Sequence, residues 1–176
     1  GFGWPDRLDV CRWCEEAVAR LGPACRILLH GVSMGAATVM MAAGEELPKQ
    51  VRGVVADCGY TSAWDEFSTQ IRKMFHLPVY PILPIASAIC RLRGGYGFKQ
   101  CSALRQVARA KVPFLFVHGA DDTFVPTEMV HRLYAACRTD KELLIVPGAA
   151  HALSYHTDPA SYEAAVVRLM QKAGMA

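Results

Sequence analysis

A chain of 176 residues, 52% of them apolar, is one domain's length and can bury one substantial core. Its net charge of +3 arises from charges of both signs spread along the sequence. There is no basic run and no aromatic-basic interleaving, which argues against a nucleic-acid partner.

Gly1-Phe2-Gly3-Trp4 leads into a polar helix start without a signal pattern, and a leading glycine leaves an upstream targeting segment open. Pro5 suits the first position of a helix. Leu8, Cys11, Cys14 or Glu15, Val18 and Leu21 follow at helical spacing until Gly22-Pro23, giving a face that needs a sheet to cover. A first strand, Ile27 to His30, runs into Gly31-Val32-Ser33-Met34-Gly35. A helix follows to about Gly44, apolar on nearly all sides and therefore expected to be buried. Val51 to Ala56 is the second strand. Thr61 and Ser62 can cap a helix that carries Trp64, Phe67, Ile71 and Met74 on one face.

His76 to Cys90 is the most apolar stretch. It is too short to span a membrane and carries Pro78, Pro81 and Pro84, so it reads as an extended lead into a helix from about Pro84 to Arg93. Such an excursion, over about residues 65–100, fits a cap over an acyl pocket and fits simple packing over the core equally well. A short helix at Ser102 to Ala110 precedes the third strand, Pro113 to Val117. A helix bearing Val130, Leu133, Tyr134 and Cys137 then leads to the fourth strand, Leu143 to Val146. A last helix opens at Pro159 and carries Tyr162, Val166 and Leu169 or Met170. Strands alternating with helices imply an α/β fold with a mostly parallel sheet and flanking helices.

Seven cysteines, an odd number scattered mostly through apolar helical stretches, point to buried thiols in a reducing, cytoplasmic compartment. Cys11 and Cys14 form a C-x-x-C in mid-helix, with no strand before it and no second pair, and read as core.

The chemistry concentrates at three loops that leave strands. Ser33 sits at a sharp strand-to-helix turn, and a Cβ at either flanking glycine, Gly31 or Gly35, is expected to collide with a neighbouring strand or helix. The helix that begins there aims its unpaired N–H groups, Met34 N–H first, at charge developing beside the hydroxyl. A serine hydroxyl needs a base, and the imidazole needs a carboxylate to hold its tautomer. The loop after the fourth strand offers His151. The loop after the third offers Asp121 or Asp122. Asp57 at the end of the second strand is a third candidate acid. His30 and His118, at strand ends, read as structural, and His156 reads as an exposed loop residue.

Gly31-Val32-Ser33-Met34-Gly35, His118-Gly119 with Asp122 and Val125-Pro126, and Gly148 with His151, in that order, resemble the serine branch of the α/β-hydrolase superfamily. The nearest likeness is to bacterial esterase, dipeptidyl aminopeptidase and acylaminoacyl-peptidase-like proteins. Asp57-Cys58-Gly59-Tyr60-Thr61-Ser62 and the Leu77-Pro78 to Phe98 segment share it, so it covers nearly the whole chain. The resemblance implies Ser33 as nucleophile, His151 as base and Asp122 as acid, acting on a small-molecule acyl substrate without metal or organic cofactor. It implies further that the chain is the carboxyl-terminal portion of an eight-stranded fold, truncated before the elbow strand. The loop that supplies the second oxyanion donor would then be missing. The elbow strand would lie at a sheet edge, which invites self-association.

Overall fold

Four runs rich in branched and aromatic residues form the strands β1 (Ile27–Val32), β2 (Val51–Asp57), β3 (Phe114–Gly119) and β4 (Lys141–Val146) of a computed structural model that describes residues 1–175. They pair in parallel in the order β1-β2-β3-β4. β3 is buried at every position and β2 at all but Arg52, as befits central strands covered on both faces. β1 pairs with β2 alone among the described residues, so its outer edge is unpaired, where the sequence placed it.

The two-residue period of the strands divides the core. Val54, Ala56, Phe114 and Phe116 face one side and Val55, Leu115 and Val117 the other. The first side meets α2 (Met34–Ala42), α5 (Ala103–Val107) and α6 (Glu128–Ala136). The second meets α8 (Pro159–Lys172), through Tyr162, Ala165 and Leu169. α2 is buried nearly all round, as its composition requires. The register aligns Val32 with Asp57 and Asp57 with Val117, so the carboxyl ends of the first three strands stand level along one rim.

Several details depart from the sequence reading. The amino-terminal helix α1 (Asp6–Leu21) lies on α2 rather than directly on the sheet, burying Cys11 and Cys14 and leaving Leu8 and Leu21 exposed. Its narrow apolar stripe fits a helix and is too narrow to seal a sheet. Between β2 and α5, α3 (Ala63–Phe75) packs against α4 (Val79–Gly94). Ser62 Oγ caps α3 by accepting from Asp65 N–H at 3.0 Å. α4 starts earlier than its prolines suggested, with non-helical backbone at Tyr80 only. Pro81 follows the kink at Tyr80 and opens the regular part of the helix, where a missing N–H forfeits no intrahelical bond, whereas Pro84 lies inside the helix and leaves one such bond unmade. The short α7 (Ser154–Thr157) has no counterpart in the sequence reading, being a single turn too brief to show a period.

The turn from β1 into α2 requires glycine at one of its two positions. A Cβ on Gly31 would stand 2.3 Å from Gly35 O and 2.6 Å from Ala36 N, with backbone that cannot yield. A Cβ on Gly35 meets nothing within 4 Å, which corrects the expectation that both glycines are sterically obligatory; space beside the first turn of α2 is open. Gly31→Ala is therefore expected to destabilise the protein by about 1–3 kcal/mol or more, lowering the thermal midpoint by several degrees, with Gly35→Ala nearly silent in the same calorimetric comparison.

Candidate active site

Three loops leaving the level rim carry the polar residues that meet there. Ser33 follows β1 directly at φ 55°, ψ −118°, a strained conformation for a residue with a Cβ, and is held by its N–H donating to Asp57 O at 2.8 Å. Met34 opens α2, so its N–H belongs to the first-turn donors without an intrahelical acceptor, and the positive end of the helix dipole lies beside the serine.

The loops after β3 and β4 are joined through their backbones. Ala120 N–H donates to Val146 O at 2.9 Å and Asp121 N–H to Ala149 O at 3.0 Å. A Cβ on Gly119 would stand 2.2 Å from Ala149 O, so this approach also needs a glycine. The result is a continuous chain of hydrogen bonds. His151 Nδ1 lies 2.7 Å from Asp122 Oδ2, and His151 Nε2 lies 2.9 Å from Ser33 Oγ. A carboxylate only accepts, so Nδ1 carries the proton and Nε2 offers its lone pair to the hydroxyl. Such an arrangement can take a proton from Oγ and hold the imidazolium that forms.

The Asp122 side chain is fully buried, and burial alone would raise its pKa. Hydrogen bonds outweigh that effect and hold the carboxyl below the usual carboxylate range. Its donors are His118, His151 and the loop backbone, whose Phe124 and Val125 N–H groups each reach Oδ1 at 2.9 Å. His118 lies wholly inside. Its Nε2–H donates to Val125 O at 2.9 Å and stands 3.3 Å from Asp122 Oδ2, while its Nδ1 has no partner. The expected structural role therefore takes a definite form: His118 braces the loop that holds Asp122.

The rival acids are elsewhere. Asp121 is exposed at the loop tip. Asp57 is buried and accepts from Ser154 Oγ at 3.1 Å, and burial pushes its carboxyl up. His30 Nε2 lies 2.8 Å from Tyr162 OH on the far side of β1, and His156 is exposed. A groove of about 600 Å³ runs there, lined by His30, Val32, Asp57, Ala152, Tyr155 and Tyr162 among others.

Three residues at the rim have places in the site that the sequence reading did not assign. Phe124 lies against His151 with ring centroids 5.0 Å apart and the ring planes tilted by 46°. Gln70 of α3 donates to Phe124 O at 2.8 Å and to Glu66 Oε1 at 2.6 Å; Glu66 is buried, its carboxyl is pushed up by burial, and its Oε2 has no partner. Cys58, immediately after β2 at φ 48°, places its thiol with the Asp122 and His151 side chains inside 4.8 Å. That donor set has the composition of a metal site. Its carboxylate and imidazole are already engaged with each other, however, and burial keeps the thiol protonated, its pKa pushed up to about 12. No local pattern signals these contacts, because each is made across the fold.

Residues 84–158 match the family described as serine aminopeptidase, S33. "Uncharacterized protein YqkD" of Bacillus subtilis is 34% identical over 138 residues, which are 78% of this chain and 45% of that protein. The chain thus spans less than half the length of this relative. Among solved structures, a puromycin-hydrolyzing peptidase of Mycobacterium tuberculosis superposes with a TM-score of 0.76 at 19% identity, covering 99% of this chain and 26% of that one. The Pyrococcus furiosus esterase PF2001 does so with a TM-score of 0.67 at 21% identity, covering 94% and 60%. In its parallel sheet and flanking helices, and in the stretch from α4 to the His151 loop, the chain is related to the α/β-hydrolase superfamily.

Proposed function

We propose that the chain carries the reactive centre of a serine hydrolase that cleaves a small acyl ester, or an amide or thioester, through an acyl-Ser33 intermediate. The observation that supports this reading is the unbroken run of hydrogen bonds from Ser33 Oγ through His151 to the buried Asp122, at 2.9 and 2.7 Å. His151 takes the hydroxyl proton as Ser33 Oγ attacks the acyl carbon, then returns it to the leaving group. A water deprotonated by the same imidazole releases the acid and restores Ser33. Asp122 orients the ring and stabilises the imidazolium, and Met34 N–H supplies one donor to the oxyanion. α3 and α4, braced on the Asp122 loop through Gln70, act as the cap beside this centre. Acyl transfer to an alcohol or amine would use the same residues, with acceptor in place of water.

The proposal is tested by labelling with a fluorophosphonate and by hydrolysis of p-nitrophenyl acetate. Ser33 should be the labelled residue, and Ser33→Ala should remove turnover by a factor on the order of 10⁴ or more. Unchanged turnover in Ser33→Ala would refute the assignment.

The two buried aspartates separate in a paired comparison. Asp122→Asn is expected to lower kcat about 10³–10⁴-fold, because the amide stabilises the wrong imidazole tautomer, and Asp57→Asn to stay within about tenfold. Stability in acid provides an independent check. Asp122 has its carboxyl lowered on folding, so its contribution is fully present above the ordinary carboxylate pKa of about 4 and is lost as pH falls through the lowered value. The urea midpoint of the protein should therefore fall on acidification below about pH 4, and less steeply in Asp122→Asn.

A further inference from the structure

The charges that alternate in sign elsewhere become one-signed in the region of α3 and α4. Between residues 67 and 120 there is no aspartate or glutamate, whereas Arg72, Lys73, Arg91, Arg93 and Lys99 fall within the part of that stretch that ends α3, forms α4 and follows it. Lys73 donates to Thr123 O at 2.8 Å and Lys99 lies over the Trp64 ring. Arg72, Arg91 and Arg93 are exposed, and none of the ion pairs among the described residues includes them.

The same region exposes a contiguous run of large apolar side chains. α4 buries Val79 and Leu83 on its inner side. Its outer side repeats apolar residues at intervals of three and four, Ile85, Ala88, Ile89 and Leu92, which is one stripe of a helix. Ile85 is 56% exposed, Ile89 50% and Leu92 86%; Phe75 at the end of α3 is 62% and Tyr80 at the kink of α4 66% exposed. Water-facing apolar stripes of this kind on a single helix mark a surface that is covered in use.

We propose that the outer face of α4, with the turn joining it to α3, docks on an anionic phospholipid surface. The stripe enters the headgroup boundary while Arg72, Arg91 and Arg93 meet lipid phosphates. α4 has the composition of a helix that lies in such an interface, apolar on one side and flanked by cations. No helix of the described residues is long and apolar enough to cross a membrane, so the mode is peripheral. The charge selects this occupant over a second copy of the chain. A two-fold contact through this face would set like charges against one another with no carboxylate from either α4 to offset them.

Vesicle flotation tests this independently of the Ser33 chemistry, since it reads binding and not turnover. The protein should float with vesicles of about three parts phosphatidylcholine to one of phosphatidylglycerol and remain behind with phosphatidylcholine alone, the binding weakening as salt rises. Combined Ile85→Gln, Ile89→Gln and Leu92→Gln, all at exposed positions, should reduce the bound fraction on the order of tenfold with an unchanged circular dichroism spectrum. Arg91→Gln with Arg93→Gln should do so comparably. Three results would each overturn the proposal: no flotation with the anionic vesicles, equal flotation of the triple apolar variant, or a wild-type dimer that the triple variant converts to monomer.

Discussion

Two loops pass so closely at the carboxyl ends of β3 and β4 that their backbones bond to each other, Ala120 to Val146 and Asp121 to Ala149, over a glycine that leaves no room for a Cβ. That approach brings a carboxylate and an imidazole 29 residues apart in the chain to 2.7 Å. The parallel register does the rest, because it sets the end of β1 level with the end of β2 and so presents Ser33 to the same imidazole. Ligand sites of open α/β sheets lie at this rim for the same reason: every strand ends there and every following loop can contribute.

Three buried acids near the rim show how environment divides roles among identical groups. Asp122 is surrounded by donors, the His151 N–H and two backbone N–H groups, with His118 Nε2 at 3.3 Å, and its carboxyl is held below the usual range although buried. Asp57 has only the Ser154 and Tyr162 hydroxyls, and Glu66 an amide on one oxygen and nothing on the other; in both, burial wins and the neutral form gains. In the proposed reaction a carboxylate would have to be charged before an imidazolium forms beside it, and of the three only Asp122 has its charge already stabilised. Its loop in turn depends on His118, whose single donated proton secures Val125 O from inside the sheet.

The Asp122 loop also links the rim to the surface of α3 and α4. Gln70 and Lys73 hold Phe124 and Thr123 by their carbonyls, and Phe124 lies against His151. Whatever rests on the outer face of α4 is therefore one helix and one loop away from Ser33.

Much of this was legible in the sequence. The four strands and their parallel pairing follow from patterns local to each segment, branched runs separated by helices, whereas the edge position of β1 and the choice of Asp122 over Asp121 came from the resemblance to the α/β-hydrolases. The burial of Cys11 and Cys14 follows from helical spacing alone. Only the tertiary structure decided which glycine of the elbow is obligatory, since the clash at Gly31 is with the backbone of Gly35 and Ala36 in one particular turn geometry and Gly35 faces open space. It alone placed α1 on α2, brought Gln70, Cys58 and Phe124 to the rim, and turned the apolar side of α4 outward. Those outcomes depend on contacts between segments far apart in the chain, and a periodicity records that a helix has an apolar face without recording what that face meets.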